Sequence, residues 1–178
     1  VWKQVLAQPV LLAVVLVTAL SASGQFTLFS YMAPIFRNDL GASANAITAL
    51  FFWFGVFGLV GNVLVSRSID RLGAAPLITA LLALMLAGFV LWPLAQSIVI
   101  MAVVLVPWAL ACFSSNSAQQ ARLGAAAPAL APVLMALNTS AIYLGQALGA
   151  AGGGAIVAAN QAAGRAPFSS MAPVACAW

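Results

Sequence analysis

Five apolar runs, each around twenty residues or longer, dominate this chain, and nearly every charge falls between them. A helix rises about 1.5 Å per residue, so about 20 mostly apolar residues cross the hydrocarbon of a bilayer. The runs extend from about Pro9 to Phe36, Asn45 to Ser66, Ala75 to Leu94, Ser97 to Gln120 and Ala131 to Ala159. A sixth begins near Ala166 and stops at Trp178, too short to span. This spacing predicts an all-α integral membrane fold in which the connections alternate sides. Only 4% of the residues are charged, against about 25% in an ordinary soluble domain. That is too little charge to cover a globule in water.

The composition also excludes chemistry. The chain has no His, which removes a zinc site, a Ser-His-Asp triad and a histidine proton relay. Cys112 and Cys176 have no partner at metal-ligand spacing and read as small apolar core residues. No cofactor and no metal are expected. Six basic residues scattered over 178 positions make no nucleic-acid patch. They set topology instead: Lys3, Arg67, Arg71 and Arg122 fall on one side, Arg37 and Arg165 on the other. The positive-inside rule makes the larger set cytoplasmic, and the N-terminus with it. The first run is too long for a signal peptide. A chain that begins at Val1 and stops inside an apolar run reads as a fragment.

Polar side chains are costly in a bilayer core, so their placement points to function. In the first run, Thr18, Ser21, Gln25, Phe29 and Met32 follow steps of three and four and share one helix face. Gln25, near the middle, should face the protein interior or water. In the fourth run, Trp108, Cys112, Asn116 and Gln119 share a face, a candidate cavity wall. Gln119 and Gln120 fit interhelical hydrogen bonding near a helix end. Pro107 lies mid-run and should kink the helix or free a carbonyl. The second run places Phe51, Gly55, Gly58 and Asn62 on one face, read chiefly as a close-packing seam. The third run has no polar face and should be peripheral, against lipid. The fifth carries Gly145, Gly149 and Gly153 at four-residue spacing, with Asn138 two turns upstream on the same face. Such small-residue faces let helix backbones approach closely. Tyr143 reads as a packing or interface aromatic.

Between the second and third runs lies Gly61-Asn62-Val-Leu-Val-Ser66-Arg67-Ser-Ile-Asp70-Arg71-Leu-Gly73, expected as a short charged hairpin. Asp70, Arg71 and Gly73 resemble the Gly-x-x-x-Asp-Arg-x-Gly loop motif of the major facilitator superfamily. Gly61, Asn62 and Arg67 fit its extended form in bacterial efflux members, and Ser66 stands where that motif has Gly. The fifth run, from Ala136 to Gly154, resembles the eleventh helix of drug and sugar efflux permeases in the arabinose-efflux-like branch.

The resemblance covers the whole chain. It implies the C-terminal six-helix half, residues 1–178, of a twelve-helix fold, with the N-terminal half absent and the last helix truncated. In this superfamily each half contains inverted three-helix units. The implied function is secondary transport by alternating access in the bacterial cytoplasmic membrane. A small organic solute, drug or sugar-like, would be exported in exchange for protons. The implied solute contacts are Gln25, Phe29, Trp108, Asn116 and Asn138. The partners would be the lipid bilayer, the missing half, the solute and protons. No acid falls within a run, so a proton-coupling group would have to lie in the missing half. Three alternatives compete. One is a half-size transporter that pairs with itself, and another is a purely structural subunit, which would not need the amide stripes. The third, an intramembrane enzyme, lacks a nucleophile–base pair.

Overall fold

The computed structural model describes residues 9–166. The expected sixth helix beyond Ala166, with Cys176, and the Lys3 end of the chain lie outside the described residues. Among the described residues, five helical spans are long and apolar enough to cross a membrane, as the runs predict.

The first span is not one helix. It consists of α1 (Pro9–Phe29) and α2 (Met32–Asp39), with a break at Ser30 and Tyr31. The cause is Pro34. Its nitrogen has no hydrogen to give the Ser30 carbonyl, and its ring crowds that carbonyl. The chain tightens ahead of it, with the Tyr31 N–H donating to Leu28 O at 2.9 Å. Regular bonding resumes where the Ile35 N–H donates to Tyr31 O, also at 2.9 Å.

The second span, α3 (Ala44–Leu72), is capped by the Ser43 hydroxyl, which accepts from the Ala46 N–H at 3.3 Å. It runs past the expected end at Ser66. Arg67, Asp70 and Arg71 therefore sit in its last turns rather than in a hairpin loop. No Gly or Pro falls between Asn62 and Leu72 to stop it. Gly73 does so, at φ +80°, where an L side chain is strained. Its N–H donates to Ile69 O at 2.9 Å. Helix α4 (Ala74–Leu91) follows at once and ends in a 3-10 turn, Trp92–Leu94.

The fourth span, α5 (Ile98–Ala126), continues beyond the expected Gln120 and stays helical through Pro107. In the turn before Pro107, the Trp53 indole donates to Ala102 O at 2.8 Å. A 3-10 turn, Pro128–Leu130, leads into α6 (Ala131–Ala162).

Packing sorts these helices into two groups. Helix α6 lies along α1, and α3 and α4 both pack on α5. In α1 and α5, half of the most apolar window is buried, against 22–28% in the other spans, so these two are central. Helix α4 is peripheral but not lipid-facing all round. Ile78, Leu81, Met85, Gly88 and Phe89 are buried, while Leu86 and Val90 are exposed.

Water-driven burial does not hold helices together in lipid, where close packing must do so. Glycines provide it in both groups. A Cβ at Gly145 would overlap the Ala19 carbonyl oxygen, and one at Gly149 the Ser23 carbonyl oxygen. At Gly153 it would meet Thr27 O and the Tyr31 ring, each at 2.7 Å. Residue numbers rise together along this seam, so α1 and α6 are parallel. On α3, Gly61 abuts the Leu110 carbonyl of α5, and Gly58 abuts the Phe113 ring. The expected role of Gly55 is not met. It is exposed, and a Cβ there would meet nothing within 4 Å. The seam runs through Gly58 and Gly61 because the buried positions of α3 are Leu50, Phe54, Gly58, Gly61 and Val65.

Replacing Gly149 with Leu forces a side chain into backbone. The expected loss is about 1–3 kcal/mol or more, read as a lower melting temperature of purified protein in detergent. Gly55→Leu should leave the melting temperature unchanged; equal losses at the two positions would refute the assigned seam.

Candidate solute site

Gln25 sits next to the midpoint of the first span, which runs from Pro9 to Asp39. It is buried, and its Nε2 donates to the Ser21 carbonyl one turn back at 3.3 Å. Its Oε1 accepts from the Trp108 indole N–H at 3.4 Å. The two central helices are thus joined near mid-depth by an amide and an indole. A buried indole N–H needs such a partner, and a bond within the membrane core has little competition from water.

Trp108 is the hub of an aromatic cluster. Phe54 on α3 and Phe89 on α4 meet its ring edge-on, with centroids 5.1 and 5.0 Å away. Phe29 of α1 and Trp92 of the 3-10 turn lie 6.2 and 6.0 Å away. Gly88 makes room for it, since a Cβ there would come within 3.0 Å of the Trp108 Cβ. Edge-to-face pairs contribute about 0.5–1.5 kcal/mol each beyond burial. Sequence reasoning gave the amide and the two aromatics on α1 and α5. It did not find Phe54, Phe89, Trp92 or Gly88, which lie on other elements and become neighbours only through tertiary packing.

The other two expected solute contacts stand apart from this cluster. Asn116 lies two turns past Trp108 and is half-buried, beside a hydrogen bond from Ser117 Oγ to Asn62 Oδ1 at 2.9 Å. That bond ties α5 to α3 and gives Asn62 a packing role. Asn138 is fully buried, on the glycine face of α6, among Leu134, Ala141 and Gly145. Neither end of its amide has a hydrogen-bond partner. Gln119 Oε1 and Ser23 Oγ are buried and unpaired as well. Gln119 was expected to hydrogen-bond across helices, and its oxygen makes no such bond. The other three residues of the first-run face behave individually, with Met32 lying beyond the break, in α2. Thr18 turns its hydroxyl back to Val14 O at 3.2 Å, Ser21 lies 3.9 Å from the Met85 sulfur, and Met32 is buried.

The loop-motif residues occupy one end of the bundle. Arg67, Asp70 and Arg71 are exposed on the end of α3, and so is Ser66, where a larger residue than Gly meets no packing. Among the described residues Asp70 makes no ion pair with either arginine. An open cavity of about 540 Å³ is lined by Ser66, Arg67, Ser68, Asp70, Arg71 and Leu72. Because α3 and α5 run side by side in the same direction, Arg122 shares this end. Arg37, in the last turn of α2, and Arg165, just past the end of α6, lie at the opposite end.

The two kinds of buried polar group predict different responses. Trp108→Ala removes a packed indole and orphans Gln25, and should cost about 3–5 kcal/mol. Asn138→Ala removes an amide that already has no partner. It should change stability by less than about 1 kcal/mol, since an unpaired buried amide is itself a cost. A loss at Asn138 as large as at Trp108, measured by thermal unfolding in detergent, would contradict the unpaired geometry.

The geometry is that of a membrane helix bundle with a polar pair between its central helices, and comparison with known proteins agrees. The family profile of the Major Facilitator Superfamily matches residues 1–178. The inner membrane transport protein YdhP of Escherichia coli strain K12 is 33% identical over 156 residues, covering 88% of this chain and 40% of that protein. Its counterpart in Escherichia coli O157:H7 is 32% identical over the same length. The chain thus spans about 40% of the length of these curated relatives. With the family matched from the first residue to the last, this all-helical membrane protein belongs to the major facilitator superfamily.

Proposed function

We propose that this chain is part of a secondary transporter of the inner membrane. It exports a small organic solute, drug or sugar-like, in exchange for protons by alternating access. The observation that carries this reading is the Gln25–Trp108 pair near mid-depth between the two most buried helices. A passive bundle needs no polar link there, where an unmet amide or indole is costly. The similarity to an inner membrane transport protein supports the location and the general activity.

In this reading the chain is the C-terminal half, and an N-terminal six-helix half completes the cavity. Gln25, Phe29, Trp108 and Asn116 contact the solute by hydrogen bonding and stacking. Asn138 joins them only when α6 moves off α1, which would also give its unpaired amide a partner. None of these groups carries a charge, which suits an uncharged or amphipathic solute. Both acids, Asp39 and Asp70, lie in the terminal turns of helices rather than mid-span. The proton-coupling carboxylate therefore belongs to the other half. The Arg67, Arg71 and Arg122 end is cytoplasmic by the positive-inside rule.

The test is transport by the intact gene product in proteoliposomes under an imposed pH gradient, scanned over neutral sugars and amphipathic drugs. Gln25→Leu should lower the transport rate at least about tenfold at matched protein level, since each 1.4 kcal/mol of lost interaction is a factor of ten. Undiminished transport by this variant would remove Gln25 from the site. The isolated chain Val1–Trp178 should move no solute above empty liposomes. Saturable uptake by it would replace this reading with self-pairing.

Asp70 gives a separate expectation. An exposed charge pair is worth about 0–1 kcal/mol. It can bias two conformations only by the difference it makes between them. Asp70→Asn should slow transport by no more than about fivefold and leave orientation intact. Wild-type rates would leave the charges as topology anchors only.

A further inference from the structure

Three polar side chains on three helices lie at one depth, and none of them is closed off by this chain. Asn62 is four residues past the middle of α3 (Ala44–Leu72), and Asn116 is four past the middle of α5 (Ile98–Ala126). Tyr143 falls three to four residues before the middle of α6 (Ala131–Ala162). Helices α3 and α5 run toward the Arg67 end, and α6 runs away from it. All three residues therefore stand about 6 Å from mid-depth on the same side. The Gly124–Met135 contact between α5 and α6, where a Cβ would lie 3.3 Å from the Met135 methyl, fixes this register independently. Asn116 and Tyr143 are each eight residues from that contact, one back along α5 and the other forward along α6.

Tyr143 is the anomaly. It is 67% exposed, and among the described residues its hydroxyl has no partner. Tyrosines facing lipid belong at the headgroup level, where the hydroxyl is wet. This one is near mid-depth. Its neighbours divide by flank. Thr139, Tyr143 and Gln146 recur at steps of four and three on one side of the glycine seam. Leu144 and Leu148, 59% and 54% exposed, lie on the other. Leucine suits lipid. A phenol, a hydroxyl and an amide at that depth suit water or a polar solute.

We propose that Tyr143, with Thr139 and Gln146 beside it and Asn62, Asn116 and Ser117 across from it, forms a water-lined wall that contacts the transported solute. Tyr143 is its specificity-determining residue. The proposal rests on the transporter reading, shares Asn116 with it, and extends it to Tyr143, Thr139, Gln146, Asn62 and Ser117, which that reading does not include. The wall offers neutral donors and acceptors around one aromatic face. On α3 and α5, the nearest charged residues, Arg67 and Arg122, lie more than a turn beyond it. The solute class it fits is an uncharged molecule with hydroxyl or amide groups and an apolar face. The Gln25–Trp108 pair, closed within the aromatic cluster, is reached only after the helices separate.

Thiol labelling of the intact gene product in membrane vesicles tests this. The background carries Cys112→Ala and Cys176→Ala, and the probe is a charged, membrane-impermeant maleimide. Tyr143→Cys and Asn116→Cys should react at least about tenfold faster than Leu144→Cys and Leu148→Cys. A transported neutral solute should slow the first two. Because Tyr143 is exposed, its replacement leaves the helix seams intact. Tyr143→Phe should raise KM about tenfold for a hydroxyl-bearing solute, with kcat within about twofold. If transport persists while Tyr143→Cys reacts no faster than Leu148→Cys, the wall is overturned and the transporter reading survives. If Tyr143→Cys reacts fast but no solute moves under any gradient, the transporter reading falls and the solute role falls with it.

Discussion

Backbone contact between glycines and carbonyl oxygens is the constraint on which this bundle depends. Lipid is as apolar as leucine, so burial alone does not choose one helix arrangement over another. The glycine contacts do choose. Gly145 and Gly149 meet the Ala19 and Ser23 carbonyls of α1, and Gly61 meets the Leu110 carbonyl of α5. In each case the glycine hydrogen in the Cβ position points at the oxygen, the arrangement of a Cα–H···O contact worth about 0.5–1 kcal/mol. Any larger residue pushes the helices apart. The contacts also fix rotation: with Gly145, Gly149 and Gly153 turned to α1, Tyr143 must face away. The same logic on α3 turns Gly55 outward once Gly58 and Gly61 are seated.

The two central helices meet differently. Trp108 fills the space between α1, α3 and α4, and its indole reaches Gln25. A large rigid ring with one polar atom suits a junction that must be tight but can separate. Opening it costs one hydrogen bond and several edge contacts, whereas opening a glycine seam exposes backbone. In the proposed transport cycle, the Gly58–Gly61 seam between α3 and α5 would be expected to travel as a rigid pair while the Trp108 junction changes. The break at Tyr31 adds to this. Its hydroxyl donates to Ala150 O on α6 at 3.0 Å, so the short helix α2 is tied to α6 as well as to α1.

Much of this was legible in the sequence because lipid imposes simple rules. The five spans, their alternation and the α6 seam follow from run length and from glycine spacing. What was not legible depended on neighbours. Pro34 reads as a residue near a helix end, and only the chain's continuation to Asp39 turns it into a break. The charged segment reads as a hairpin because charge is expected outside the membrane, yet Arg67, Asp70 and Arg71 prolong α3 until Gly73. Helical periodicity put Gly55 and Gly58 on one face. It could not say which of the two would meet α5. For the candidate site, Gln25 and Trp108 were each found as a mid-span polar or aromatic residue, but their bond needed the tertiary fold. Tyr143 reads from the sequence as a packing or interface aromatic; that it is 67% exposed while Asn138 is fully buried emerges only from the tertiary fold.

The distribution of charge limits what this chain can contribute to the proposed proton-coupled cycle. Moving a proton through the membrane requires a group that titrates within it, and polar groups alone do not store charge. The described spans hold amides, hydroxyls, two phenols, indoles and one buried thiol, with both acids at helix ends. Such a set can bind, orient and exclude water, so the proton of the proposed exchange is carried elsewhere. In that proposal its amides still sense the coupling step through packing. A change in the proposed partner half that draws α6 away from α1 would expose Asn138 and Ser23, whose side-chain polar atoms are unpaired while the seam is closed. Those unmet bonds lower the cost of opening, because water or solute would then satisfy them. The closed seam is held by glycine contacts and opposed by stranded polar groups, and the difference between the two sets what the proposed partner half must supply to shift it.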